Sequence, residues 1–294
     1  MNPIPALLPE LWRHASSADR LRRHLLLAPL TGAGLMGLAG LTGRAAANPA
    51  PERMALVIGN ANYKVGKLTN PISDARAIAN RLGSLGWSVT RREDASLSDL
   101  LESLRDFSAQ SGPSALRLVF YAGHGLTAKG RNYIVPVEAR PQSEDEVASS
   151  CVDIAAFVDR LGNLPSGANI VVLDACRANP FKGGVHTLPD GRVVQLRGGL
   201  TSGLRRLDAP VGTLVAFSTA PNGIAVDSRE SPHSVYAKHL LQHLGTPGLP
   251  IEQMFKRVRI GVAQETNRTQ VPWESSSLTA EVCLAHDKAG RCGS

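Results

Sequence analysis

The chain has 294 residues, 43% of them hydrophobic, 19% charged and only 4% aromatic. That balance excludes a disordered protein and leaves room for a sizeable core built mostly of Leu, Val, Ile and Ala. The net charge of +7 is not gathered into a Lys/Arg block, which argues against a nucleic-acid-binding face, and four cysteines are too few for a disulfide scaffold.

Residues 1–50 differ from everything after them. Arg22-Arg23 precedes a charge-free stretch from Leu25 to Gly43, and Arg44 and Ala45-Ala46-Ala47 follow. A positive n-region, an apolar h-region and a small-residue cleavage site make a signal peptide, and the paired arginines suggest the twin-arginine type. Pro29, Thr31 and several glycines keep the h-region weakly hydrophobic, which suits that route better than a membrane span. The reading is a signal peptide over 1–47, a linker over 48–53, and an exported, periplasmic or secreted protein. An uncleaved anchor over 25–43 is the alternative, since about 18 apolar residues can cross a bilayer. In an oxidising compartment Cys283 and Cys292 can pair; two free thiols near the C-terminal tail 285–294 is the competing reading. Cys151 reads as a small buried apolar residue.

Strand and helix signals alternate through the rest. Met54–Gly59 is a short apolar run that suits a strand buried on both faces. Ala75, Ile78, Ala79, Leu82 and Leu85 fall in helical period after an N-cap at Ser73, with Gly86 as the stop. Trp87–Arg91 is a more polar strand. A helix from Ser98 puts Leu100, Leu101, Leu104 and Phe107 on one face. Leu116–Tyr121 is a buried strand running into Ala122-Gly123-His124-Gly125. A turn at Lys129-Gly130 leads to a strand over Asn132–Val137, and Val152–Leu164 is helical. Asn169–Leu173 is the next buried strand, running into Asp174-Ala175-Cys176-Arg177. Residues 178–210 are Gly- and Arg-rich without period and read as a long loop. Thr213–Ser218 is a strand, Ser234–Leu244 and Ile251–Glu265 are helices, and Leu278–Leu284 is placed at an edge. This alternation predicts an α/β fold with a mainly parallel sheet covered by helices on both faces.

In an open parallel sheet the site lies beyond the C-terminal strand ends. Here one strand end delivers His124 and another Cys176, 52 residues later. A thiolate is a strong nucleophile, and a neighbouring imidazole can take its proton and return it to a leaving amine. His239 and His243 lie four apart but lack the Glu of a zinc-peptidase motif and read as a solvated helix face. No phosphate-loop or serine-elbow pattern is present.

Tyr121-Ala122-Gly123-His124-Gly125 and Leu173-Asp174-Ala175-Cys176-Arg177 resemble the His and Cys motifs of the caspase-like peptidase family, which includes metacaspases and bacterial caspase homologues. The resemblance extends to Ala55–Asn60, Asn70–Ala75, Arg131–Pro136 and Pro272–Ser275, and so covers residues 54–284. It implies a caspase-like three-layer sandwich, with Cys176 as nucleophile, His124 as general acid and base, and the backbone N–H groups of Gly125 and Cys176 as the oxyanion hole. Animal caspases carry Gln where this chain has Asp174. A carboxylate there would repel an acidic substrate side chain and attract a basic one. In metacaspases an acidic residue at this position helps line a pocket for basic P1 residues, and Asp74 matches a second pocket carboxylate. The expected partner is a polypeptide with Arg or Lys at P1, not a nucleic acid or a membrane, met by a monomer.

Structural readings stand beside these. Asp174 could accept backbone N–H bonds at its strand end, and Asp74 could complement a helix dipole. Ala122 stands where metacaspases often carry Ser. Lys182, Arg192, Arg197, Arg205 and Arg206 make the 178–210 loop a candidate for self-processing as well as a plain solvated loop. Calcium dependence occurs among metacaspases, but no EF-hand-like Asp spacing places an ion, so no cofactor or metal is assigned. The rival function is a catalytically silent caspase-fold binding or signalling module, against which the presence of both His124 and Cys176 weighs.

Overall fold

The computed structural model describes residues 53–112, 115–141, 143–176, 183–187, 193–197, 204–220 and 231–292, with 176, 183–187 and 193–197 as backbone. The export segment 1–47, its alternative anchor and linker residues 48–52 lie outside the described residues, as do Lys182 and Arg192.

In chain order the elements are β1 (Arg53–Gly59), α1 (Pro71–Ser84), β2 (Ser88–Glu93), α2 (Leu97–Gln110), β3 (Leu116–Ala128), β4 (Arg131–Ile134), α3 (Glu144–Ser150), β5 (Val152–Asp153), α4 (Ile154–Gly162) and β6 (Ala168–Cys176). They continue with β7 (Gly183–Thr187), β8 (Val193–Arg197), β9 (Thr213–Phe217), α5 (Val235–His243), α6 (Ile251–Glu265) and β10 (Trp273–Ser276). The main sheet runs β10-β9-β6-β3-β1-β2, parallel except for β10.

The order explains the layers. From β1 the chain moves outward to β2, then back past β1 to β3, so right-handed crossovers send α1 and α2 to opposite faces. Strand residues sort by the two-residue period. Val57, Phe120, Val172 and Ala216 face α1, α5 and α6, where Ile78, Leu240 and Phe255 pack. Leu56, Val119, Val171 and Val215 face α2 and α4, where Leu100, Phe107 and Phe157 pack. Three buried layers result, matching the expected fold class. No helix among the described residues is long and apolar enough to cross a membrane.

Several boundaries differ from the sequence reading, each for a physical reason. Helix α1 starts at Pro71, not after Ser73: proline suits the first helical turn, and the Ser73 hydroxyl donates to the Asn70 carbonyl 2.8 Å away instead of capping. Helix α2 is capped by Ser96, two residues upstream of Ser98, in a reciprocal capping box with Asp99, and Leu101 is exposed rather than part of the apolar face. Residues 178–210 are not a featureless loop, because β7 and β8 form an antiparallel hairpin within them. The sheet edge is closed by β10, whereas in 278–284 Cys283 makes only an isolated bridge to Pro250. Helix α3, too short to show a period, was invisible to periodicity. Strands β3 and β6 run on through the reactive residues instead of stopping short of them.

Candidate active site

Strand β3 changes partner at His124. Up to that residue it pairs in parallel with β6, the last pair of the register being His124 opposite Cys176, on strands about 4.8 Å apart. From Gly125 it pairs antiparallel with β4 instead. The Lys129-Gly130 turn closes this hairpin with both residues at positive φ (46° and 75°), the mirror-image turn that suits strand twist.

Strand geometry fixes where the amides point. The Asn60 N–H donates to the Ala122 carbonyl (2.9 Å) and the Val135 N–H to the His124 carbonyl (3.1 Å), so even-numbered polar groups of β3 face β1 and β4. Gly125 and Ile134 are therefore a non-hydrogen-bonded pair, and the Gly125 amide faces the opposite edge, where β6 and Cys176 lie.

The imidazole of His124 is 5% exposed and held from the loop after β1. Its Nε2–H donates to the Gly66 carbonyl at 2.6 Å, and the Tyr63 ring lies against it with centroids 4.3 Å apart. Donation through Nε2 selects the tautomer whose basic nitrogen is Nδ1. The His124 backbone N–H donates to Tyr63 Oη (2.9 Å), and the Tyr121 hydroxyl donates to the His124 carbonyl (2.8 Å). Burial, then the nearby Tyr63, pushes the Tyr121 pKa far above its ordinary value, so its hydroxyl stays protonated and able to donate. Gly123 is required here: a Cβ on it would stand 2.6 Å from Tyr63 Oη and 2.7 Å from Tyr121 Oη. The supporting loop is itself braced. Asn60 Nδ2–H donates to the Ala95 and Val135 carbonyls, and Asp94 accepts from the Ala61 and Asn62 amides, each at 2.9 Å.

The second half of the site gathers the two predicted carboxylates. Asp174 pairs with Ala122 across the sheet on the α1/α5 side and is 8% exposed; Asp74, in the first turn of α1, is 1% exposed. They meet at the start of α5. The Ser234 hydroxyl donates to Asp174 Oδ2 (2.6 Å), and its backbone N–H donates to Asp74 Oδ2 (3.3 Å). His233 Nδ1–H donates to Asp74 Oδ1 (2.8 Å). Burial holds the His233 pKa below its ordinary value despite the adjoining carboxylate, so the ring is neutral at pH 7. Sequence reasoning had no role for Tyr63, Gly66, His233 or Ser234. An aromatic residue in a polar loop directly after a buried strand was the available hint for Tyr63; Ser234 was legible only as a helix start.

The remaining candidates lie elsewhere. Cys283 and Cys292 form a disulfide. Cys151 is buried, and desolvation pushes its thiol up to about 12, so it stays protonated. His239 is not on a solvated face: it bonds Glu265 (2.9 Å) and Gln242 (3.1 Å). Among the described residues no three His, Cys, Asp or Glu groups converge as metal ligands.

In one region of 129 residues the chain is 29% identical to the human mucosa-associated lymphoid tissue lymphoma translocation protein 1. It is 28% identical to the mouse homologue over the same length. The aligned region is 44% of this chain and 15% of each relative, so the chain spans about 15% of the length of these curated proteins. A family model, the Caspase domain, matches residues 52–283, which include the whole described sheet and both strand ends. With most of its length matched, the chain belongs to the Caspase domain family of cysteine peptidases.

Proposed function

We propose that this enzyme is an endopeptidase that cleaves after Arg or Lys, with Cys176 as nucleophile and His124 as general acid and base. The observation that carries the reading is the register of β3 and β6, which sets His124 opposite Cys176 while Gly66 holds the far ring nitrogen. The Cys176 thiol gives its proton to His124 Nδ1, and the thiolate attacks the scissile carbonyl carbon. The resulting oxyanion is stabilised by the N–H groups of Gly125 and Cys176. As the C–N bond breaks, the imidazolium gives its proton to the departing amine, leaving a thioester. Water then attacks the thioester, His124 takes its proton and returns it to sulfur, and the carboxylate product leaves.

The basic P1 preference is supported by two buried carboxylates gathered at Ser234, where an Arg or Lys side chain would find opposite charge and an acidic one repulsion. Self-processing, if it occurs within 178–210, falls before Leu204: the Asn132 side chain binds both the N–H and the carbonyl of Arg205, pinning that segment to the fold. Export is supported by the Arg22-Arg23 segment and by the Cys283–Cys292 disulfide, which oxidising compartments favour.

The test is hydrolysis of fluorogenic peptides bearing Arg, Lys or Asp at P1 by the full chain and by Cys176→Ala, with reductant, with and without calcium. Cys176-dependent turnover after Arg or Lys is the expected result. Turnover confined to Asp would keep the dyad and remove the basic pocket. Silence from folded protein with a free thiol would favour the binding-module reading.

A further inference from the structure

One dipeptide holds both pocket carboxylates. Ser234 is the N-cap of α5, and its Oγ does two jobs: it accepts the Ala237 N–H (3.0 Å) and donates to Asp174 Oδ2 (2.6 Å). Its backbone N–H reaches Asp74 from the same point, and His233 takes the other oxygen of Asp74. Two buried carboxylates so close repel one another. The positive end of α5 and these hydrogen bonds oppose that repulsion and hold the two side chains aligned. The His233 side chain is 26% exposed, against 2% for Asp74, so it stands at the solvent side of the pair.

We propose that His233 and Ser234 are the positioning residues of the basic-residue pocket: Ser234 locks the two carboxylates into one geometry, and His233 sets how much of their charge a substrate cation meets. The inference rests on the basic-P1 reading above. It narrows the substrate class, because a planar guanidinium can engage two fixed carboxylates at once, whereas an ammonium is a point charge that gains less from their alignment. It also gives the pocket a proton-dependent strength. Among the described residues, the titratable groups facing His233 are Asp74 from α1 and, through Ser234, Asp174 from β6; Tyr236 in the first turn of α5 is held neutral by burial. Above the ordinary imidazole value of 6.5 the ring is neutral and both carboxylate charges act on the substrate. As pH falls through the lowered His233 value, the ring gains a charge beside Asp74 and cancels one of them.

The test compares kcat/KM of the full chain for peptides with Arg, Lys or citrulline at P1 between pH 5 and 8. Citrulline is the uncharged isostere of arginine, so the Arg/citrulline ratio cancels the ionisation of Cys176 and His124. In the wild type the ratio is expected to fall on the order of tenfold on acidification. His233→Gln should hold it flat over the same range. Ser234→Ala should erode the preference for Arg over Lys, and Ser234→Thr, which keeps the hydroxyl, should restore it. Unchanged pH dependence of the ratio in His233→Gln, with an unchanged Arg/Lys ratio in Ser234→Ala, overturns the inference. If Ser234→Ala does not fold, the His233→Gln profile decides alone. A wild type indifferent to Arg against citrulline at every pH sinks the basic-pocket reading itself, a different failure.

Discussion

His124 on β3 and the pair formed by Asp174 on β6 and Asp74 on α1 lie close in the fold through the β3–β6 register, yet their surroundings are chemically opposite. Around His124 the described partners are a backbone carbonyl and two phenols, with the Asn60 amide bracing the same carbonyl of Val135 that the phenols reach. Around Asp74 and Asp174 the partners are a helix N-terminus, a serine hydroxyl and an imidazole, all of them donors that favour negative charge. A group that must gain and lose a proton during turnover is best kept free of competing charges. A group that must recognise a cation is best kept ionised, which takes donors and a helix dipole. On the proposed reading, the difference separates rate from recognition.

Mutations should break along that line. The largest effect is expected from His124→Ala, which should lower kcat about 10²–10⁴-fold with KM little changed, measured with an Arg-P1 peptide. A loss appearing only in KM would mean that the two regions are not distinct in function. Asp174→Asn should lower kcat/KM for Arg on the order of 10²-fold and for citrulline much less. Equal losses on both peptides would assign Asp174 a structural task. Gly123→Ala forces a methyl against two hydroxyls and should cost about 1–3 kcal/mol of unfolding free energy by denaturant titration. A neutral outcome would show the tyrosine pair to be yielding. The smallest effect is expected at Tyr236, whose hydroxyl is buried with no hydrogen-bond partner among the described residues. Tyr236→Phe should leave stability unchanged or raise it by up to about 1 kcal/mol. A clear loss would mean that the hydroxyl has an ordered partner near Asp174.

Legibility in the sequence followed the same division. Continuous apolar runs such as Met54–Gly59 and Asn169–Leu173 announced the buried parallel strands, because burial on both faces leaves little choice of residue. The matching of two strand ends put His124 and Cys176 together before any coordinates. Helix α6 was readable to its ends, since Pro250 and Thr266 frame an unbroken period. What escaped was irregular backbone. The 60–66 loop shows no period, and its role comes from a carbonyl at Gly66, a group every residue possesses. His233 precedes its helix and lies 159 residues from Asp74, a contact no local pattern encodes. The β7–β8 hairpin has two glycines opening its first strand, which disguises it as loop.

The contacts on the His124 ring have one more consequence. Gly66 and Tyr63 lie 58 and 61 residues upstream, and Cys176 lies in a different crossover unit. The described contacts on the imidazole come from far upstream in the sequence. These contacts can form only after the long-range closure that brings β1 beside β3, a closure whose entropy must be spent before any contact rewards it. No fragment carrying only one of the two motifs should contain a nascent site. During refolding, the ring's chemical environment should mature together with the pairing of β1 and β3, which makes the His124 resonance a natural clock for that long-range step.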